Sequence, residues 1–355
     1  MAGSLELLAG YKQPIQAVIE KSLYEFTSQL PELSADASWA LDSLTAYCTR
    51  PSKKIRGSLA AALYDHLNAT SMDKTALRLA AAVEVVQNFL LIVDDAVDRS
   101  PLRRGQPTIH ELYKSEYHPE SAREGDMVAI FIGMLAQHAA NYIILNLPVN
   151  AEYITKSLSV MHLNISTTGI GQIDDVQQQI DRLPITTSDL LRKYQQKSSY
   201  YTFVNPLESA LALAGKWNRQ AHEDCGAFGL PAGVAFQLRD DYIGIFGDTS
   251  ATGKANLEDI REGKYTFMMH YAAASATKKQ SSTLLALLGK QDANEDDLET
   301  VRNILNETGA ADKAMKDAHV FADEAKQAAK NAGSWRDDFA NILEAMVTFS
   351  VERTV

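Results

Sequence analysis

Two aspartate clusters stand inside apolar stretches of this 355-residue chain, Asp94-Asp95-Ala96-Val97-Asp98 and Asp240-Asp241-Tyr242-Ile243-Gly244. The first follows directly on Phe89-Leu90-Leu91-Ile92-Val93. An ionised carboxylate is costly to take out of water unless a partner compensates, so this position asks for a cation. Arg99 and Arg239 flank the clusters, but a neighbour one position along a helix points about 100° away. On a helix Asp94 and Asp98 are i and i+4, so both carboxylates project from one face about a turn apart. Oxygen donors with no His or Cys nearby suit Mg²⁺, which takes one or two carboxylates and completes its shell with water and substrate phosphates. The spacing therefore implies a phosphorylated substrate. A lone DDxxD would more often be a solvated acidic face or a first helical turn favoured by the helix dipole. Here there are two, and basic residues follow each: Arg103-Arg104-Gly105 after the first, Lys254 and Lys264 after the second.

The elements that must position these groups read as helices. Only ten prolines occur, none after Pro231, and strict period-two alternation is scarce. The fold expected is all-α, and nothing marks a boundary, so residues 1–355 read as one domain. Residues 5–50 predict two amphipathic helices broken near Pro31 and Ser34. A basic turn, Pro51 to Gly57, precedes an Ala/Leu-rich helix from Ser58 to Leu67. Within that turn Lys53 and Arg56 stand three apart; they would point at one anion or form a solvated basic turn. Asp73 to about Asp98 predicts a long apolar helix with Glu84, Gln87 and Asp94 near one stripe. Arg99 to Gln106 reads as a loop. Gly125-Asp126 opens the next helix with Asp126 as its N-cap, and Gly169 to Asp175 interrupts a later one. Asp248 to Lys254 is a loop whose backbone N–H groups and lysine could hold phosphate oxygens. Residues 294–332 read as a scaffold helix pair.

Composition narrows the partners. A net charge of −11 and a pI near 5.2 argue against a nucleic-acid or anionic-membrane surface. Cys48 and Cys225 cannot build a disulfide framework, which suits a reducing compartment. Met1 to Glu6 has no basic segment leading into an apolar run, and the best uninterrupted apolar run, Met127 to Ala136, is short of the ~20 residues that span a bilayer. The expectation is a soluble cytoplasmic protein without a membrane span.

In unbroken order the chain carries Lys53-Lys54-Ile55-Arg56, Gln87 to Asp98, Arg103-Arg104-Gly105, Gly171-Gln172-Ile173-Asp174-Asp175, Lys197-Ser198-Ser199-Tyr200-Tyr201-Thr202, Phe236-Gln237-Leu238-Arg239-Asp240-Asp241, Thr252-Gly253-Lys254 and Lys264. This ordered set resembles the trans-isoprenyl diphosphate synthases of the farnesyl and geranylgeranyl type. The resemblance implies the isoprenoid synthase type I fold, a helical bundle around a central apolar cavity, usually a homodimer. It implies Mg²⁺-dependent, head-to-tail condensation of isopentenyl diphosphate with an allylic diphosphate, to geranylgeranyl (C20) or farnesyl (C15) diphosphate. Asp94, Asp98 and Asp240 look like the main ligands of three Mg²⁺ ions, which Mn²⁺ can replace, with Asp95 and Asp241 in support. By the same likeness Arg103, Lys197, Lys254, Lys264 and Gln237 face the allylic diphosphate, and Lys53, Arg56, Gln87 and Arg104 the isopentenyl diphosphate. Gln172, Asp175 and Ser198 would stand behind them.

Three positions depart from the family's pattern. Ser198 replaces a common threonine, Lys54 a common arginine, and Gly244 stands where farnesyl synthases carry a further aspartate. Product length in the family is set below the first cluster. Geometry puts Leu90 nearly under Asp94 and Phe89 to the side. The resemblance, with one aromatic at Phe89 and none at Leu90, leans towards C20. Two other readings compete: a class I terpene cyclase, and a non-catalytic subunit of a heteromeric prenyl synthase. Lys53, Arg56, Gln87 and the intact second cluster favour elongation over both.

Overall fold

The computed structural model describes residues 2–117, 122–181, 185–247 and 256–353. Among them the helices are α1 (Ala2–Gly10), α2 (Lys12–Thr27), α3 (Ala35–Cys48), α4 (Ile55–Asn68), α5 (Lys74–Asp98), α6 (Ile109–Glu116), α7 (Ala122–Leu145), α8 (Ala151–Asp181), α9 (Thr187–Tyr194), α10 (Asn205–Leu213) and α11 (Arg219–Phe246). After these come α12 (Glu258–Glu262), α13 (Phe267–Ser275), α14 (Lys278–Leu287), α15 (Glu295–Glu307), α16 (Ala310–Asn331) and α17 (Asp337–Glu352). A π-helical segment, Gln195–Val204, joins α9 to α10. The strands among the described residues are the two-residue pair β1 (Leu102–Arg103) and β2 (Gln106–Pro107). The all-α expectation holds.

The chain divides into two compact units. The first comprises Met1–Leu163, Asn205–Cys225 and Gly333–Phe339; the second comprises Asn164–Val204, Gly226–Ala332 and Ala340–Val355. In the first unit α5 is the central element, packed against α2, α4, α7 and α10. Asp73 caps it, its carboxylate accepting from Thr75 N at 2.7 Å and Ala76 N at 3.4 Å. Arg99 ends it in the left-handed region at φ 54°, right after Asp98. The cap, the apolar run and the stop thus place the first aspartate cluster in the last helical turn. In the second unit α13 and α15 pack on α16, whose alanines 311, 314, 318, 322, 325 and 329 are buried at helical spacing.

Several expectations change. Residues 5–50 form three helices, because Pro14 has no N–H to give the Gly10 carbonyl and α1 stops there. Asp126 lies inside α7 and pairs with Arg99 at 3.6 Å, so it is no N-cap. Gly125 serves contact: a Cβ there would come within 2.8 Å of the His110 carbonyl oxygen. Gly169 to Asp175 does not interrupt α8, which runs through it. Finally, α5 and α7 are each long and apolar enough, by length and composition, to cross a membrane. Counting unbroken apolar residues overlooked this. The most apolar stretch of α5 is 72% buried and that of α7 44%.

Candidate active site

In the first unit the aspartate cluster is tied to the turn that follows it. Asp95, 1% exposed, accepts from Tyr47 Oη at 2.6 Å and from Arg103 Nε at 2.7 Å, so each of its oxygens is engaged. Arg103 Nη2 also reaches Asp95 and lies 3.4 Å from Asp94 Oδ2. The short β1–β2 hairpin brings Arg103 back to the helix, with Arg104 and Gly105 supplying its positive-φ turn. Burial alone would lower the Arg103 pKa, but Asp95 and then Asp94 outweigh it and hold the guanidinium charged. Burial first, and Asp95 next, push the Tyr47 phenol well above its ordinary value, so it stays a proton donor. Asp94 is the more accessible carboxylate, its side chain 24% exposed, and half-buried Asp98 follows one turn on.

A second knot joins α4 to α5. In the amide orientation that satisfies its neighbours, Gln87 accepts from Arg56 Nη1 at 2.9 Å and donates to Glu84 Oε2 at 3.3 Å. Buried Glu84 also accepts from Gly57 N at 2.8 Å. Arg56 and Gln87 are thus brought together, and Arg104 lies within electrostatic reach of Arg56 and Glu84. Lys53 does not share a helical turn with Arg56. Lys54 is left-handed at φ 49° and α4 begins at Ile55, so Lys53 lies before the helix and is exposed. Lys54 is buried, its Nζ donating to the Cys48 carbonyl at 3.2 Å. Below the cluster, Phe89 and Val93 face Gly133 of α7, where a Cβ would come within 3.6 Å of the Phe89 ring and 2.9 Å of Val93.

The second unit holds the other cluster. Ser198 donates to Gln237 Oε1 at 2.6 Å, and Gln237 Nε2 donates to Asp241 Oδ1 at 2.7 Å. Tyr194 donates to Asp241 Oδ2 and accepts from Phe267 N at 3.3 Å. Burial, with help from Asp259 and Asp240, pushes the Asp241 carboxyl up to about 7 against the lowering by Tyr194 and Gln237. Asp240 is half exposed and bonds Arg353 Nη2 at 2.6 Å. Asp175 takes Lys193 at 2.9 Å and Lys197 at 2.6 Å. Lys264 pairs with Glu262 and lies 3.5 Å from Asp259. Lys254 and the loop from Asp248 lie outside the described residues.

The π-helical segment carries Lys197 and Ser198, and two glycines admit it. A Cβ at Gly171 would overlap the Gln196–Lys197 backbone, and one at Gly233 would overlap Ser199. π turns recur at functional sites. Four participants are not marked by the motif spacings: Tyr194, Lys193, Arg353 and Asp259. The Asp259 carboxylate occupies the space a side chain at position 244 would need. Gly244 followed by an aspartate shortly before Gly263-Lys264 was the available signal.

A divalent ion fits these donors. Among the described residues no three His, Cys, Asp or Glu side chains form a ready cage. Mg²⁺ does not need one, since it takes one or two carboxylates and draws the rest of its shell from water and phosphate. Gln172 Nε2 is buried with no hydrogen-bond partner among the described residues, as suits a donor awaiting an oxygen.

The sequence pattern of the polyprenyl synthetase family matches residues 37–305. The chain is 26% identical to a geranylfarnesyl diphosphate synthase of Aeropyrum pernix over 95% of its own length and 99% of that protein's. It is 32% identical to a geranylgeranyl diphosphate synthase of Saccharolobus solfataricus over 65% and 66%. A geranylgeranyl pyrophosphate synthase structure from Corynebacterium glutamicum, complexed with isoprenyl diphosphate and magnesium, superposes with a TM-score of 0.89 at 23% identity, covering 98% of this chain and 99% of that one. The fold is the all-α isoprenoid synthase fold, and the chain belongs to the polyprenyl synthetase family. It is a prenyltransferase, a short-chain prenyl diphosphate synthase.

Proposed function

We propose that the protein adds isopentenyl diphosphate head to tail to an allylic diphosphate, ending at geranylgeranyl (C20) or farnesyl (C15) diphosphate. The observation that carries this is the family match across 37–305, which contains both intact aspartate clusters. A non-catalytic subunit would have lost one of them. A terpene cyclase needs no isopentenyl site, whereas Arg56 and Gln87 are paired and buried here.

Asp94, Asp98 and Asp240 are the proposed ligands of three Mg²⁺ ions, with Mn²⁺ as a substitute, and Asp95 and Asp241 support them. Bound Mg²⁺ supplies positive charge to the departing diphosphate. Arg103, Lys197, Lys254 and Lys264 grip that diphosphate, and Gln237 and Ser198 hold Asp241 in place. Lys53, Arg56, Gln87 and Arg104 orient isopentenyl diphosphate. No side chain acts as a nucleophile: the allylic C–O bond ionises, the isopentenyl double bond attacks the cation, and the proton lost passes to diphosphate. Water must be kept from the cation, which it would otherwise trap.

The same reading makes residues 1–355 one catalytic domain, cytoplasmic, with no nucleic-acid partner, and takes α5 and α7 as core and interface helices. The second copy of a homodimer would cover the exposed apolar face of α7, where Met127, Ile130, Phe131 and Met134 are 40–60% exposed. Chelation tests the metal assignment. EDTA should abolish consumption of labelled isopentenyl diphosphate, and added Mg²⁺ should restore it; an unchanged rate in EDTA would refute the ligand assignment.

A further inference from the structure

Asp175 is 4% exposed and holds two ammonium groups at once. Lys193 Nζ donates to Oδ1 at 2.9 Å and to the Tyr265 carbonyl at 3.2 Å. Lys197 Nζ donates to Oδ2 at 2.6 Å. The two lysines differ in setting. The Lys193 side chain is 5% exposed and pinned by two oxygens, while that of Lys197 is 23% exposed and stands on the π-helical segment. Burial pushes the Asp175 carboxyl up, but Lys197 and then Lys193 outweigh it, so the group is ionised.

A buried carboxylate that loses its only cation is strongly destabilised, so a lysine held as sole partner would be expensive to move. With two cations on one carboxylate, one can leave while the other stays. We propose that Lys193 is a positioning residue that keeps Asp175 charge-balanced while Lys197 passes from Asp175 to the allylic diphosphate. This rests on the reading of Lys197 as a diphosphate ligand. Lys193 touches no substrate; it lowers the cost of the handover.

Steady-state kinetics of the full-length protein with Mg²⁺, varying each substrate in turn, test this. K193Q keeps a hydrogen-bond donor in place without the charge. It should raise the KM for the allylic diphosphate roughly tenfold or more, as expected when a buried charge is left unpaired, and leave the isopentenyl KM within about twofold. K193Q/D175N, with no buried charge to strand, should bring the allylic KM back to within about threefold of wild type. An unaltered allylic KM in K193Q, an equal rise in both KM values, or a double variant as impaired as the single would overturn the proposal. Should K193Q not fold, K193R decides: it keeps the charge beside Asp175, so the handover account predicts an allylic KM within about twofold of wild type, and a roughly tenfold rise would overturn it. K197A separates the two layers. A normal allylic KM in K197A refutes the diphosphate role of Lys197 and the proposal with it; a raised KM in K197A beside an unaltered K193Q refutes the proposal alone.

Discussion

Adjacent aspartates in the first cluster have different jobs. Asp95 is buried with both oxygens engaged, so its removal strands Arg103 and Tyr47. D95A should lose about 3–5 kcal/mol of stability, the scale of breaking a buried ion pair, seen as a lower urea midpoint. D94A should keep its midpoint within about 1 kcal/mol and instead lose at least ~10²-fold in turnover, since Asp94 is more accessible and its partner contact longer. Equal midpoints for the two variants would contradict this division. Acid sensitivity belongs to the same scale. Asp175 is held below the usual carboxylate range, so its contribution is fully present above the unfolded value of ~3.9 and is lost as pH falls through its depressed folded value. D175N should flatten the acid limb of a plot of urea midpoint against pH. The first carboxylate cluster stood out in the sequence because it lies at helical spacing straight after an apolar run, whereas the roles given to the lysines came from the ordered family motifs and not from spacing. Tyr194, Lys193 and Arg353 were not legible, since each reaches its aspartate through the tertiary fold.

Helices with strong ends were legible, and those shaped by contacts were not. For α5, Asp73, the apolar stripe and the end at Asp98 gave both boundaries. The π-helical segment has no such signature, because its residues would suit an α-helix as well, and what admits it is space at Gly171 and Gly233 on other elements. That also explains why Gly171 looked like a helix interruption. G171A should force the Gln196–Lys197 backbone aside, at about 1–3 kcal/mol of overpacking, and lower turnover by displacing Lys197. Thermal melting and steady-state rates measure both effects. A variant with the wild-type melting point and rate would show that the clearance is unused. The start of α4 was also set by backbone rather than side-chain pattern: Lys54, left-handed at φ 49°, lets the helix begin at Ile55 rather than at Ser58 and leaves Lys53 before it.

The two units are built from interleaved stretches of one chain. Product length is the whole-molecule property the sequence addresses least directly, because it depends on what faces Phe89 as much as on Phe89 itself. Phe89 lies against Gly133, so trimming either side of that contact changes the room below the first cluster. F89A should lengthen the main product by at least one isoprene unit, and L90F should shorten it; an unchanged distribution in both would move the floor elsewhere. The central claim, chain elongation, is tested most directly by incubating the purified protein with Mg²⁺, isopentenyl diphosphate and labelled dimethylallyl, geranyl or farnesyl diphosphate, then chromatographing the products. The account predicts linear prenyl diphosphates longer than each primer accepted, ending at C15 or C20. Cyclised hydrocarbons formed without consumption of isopentenyl diphosphate, or no product from any primer, would contradict it.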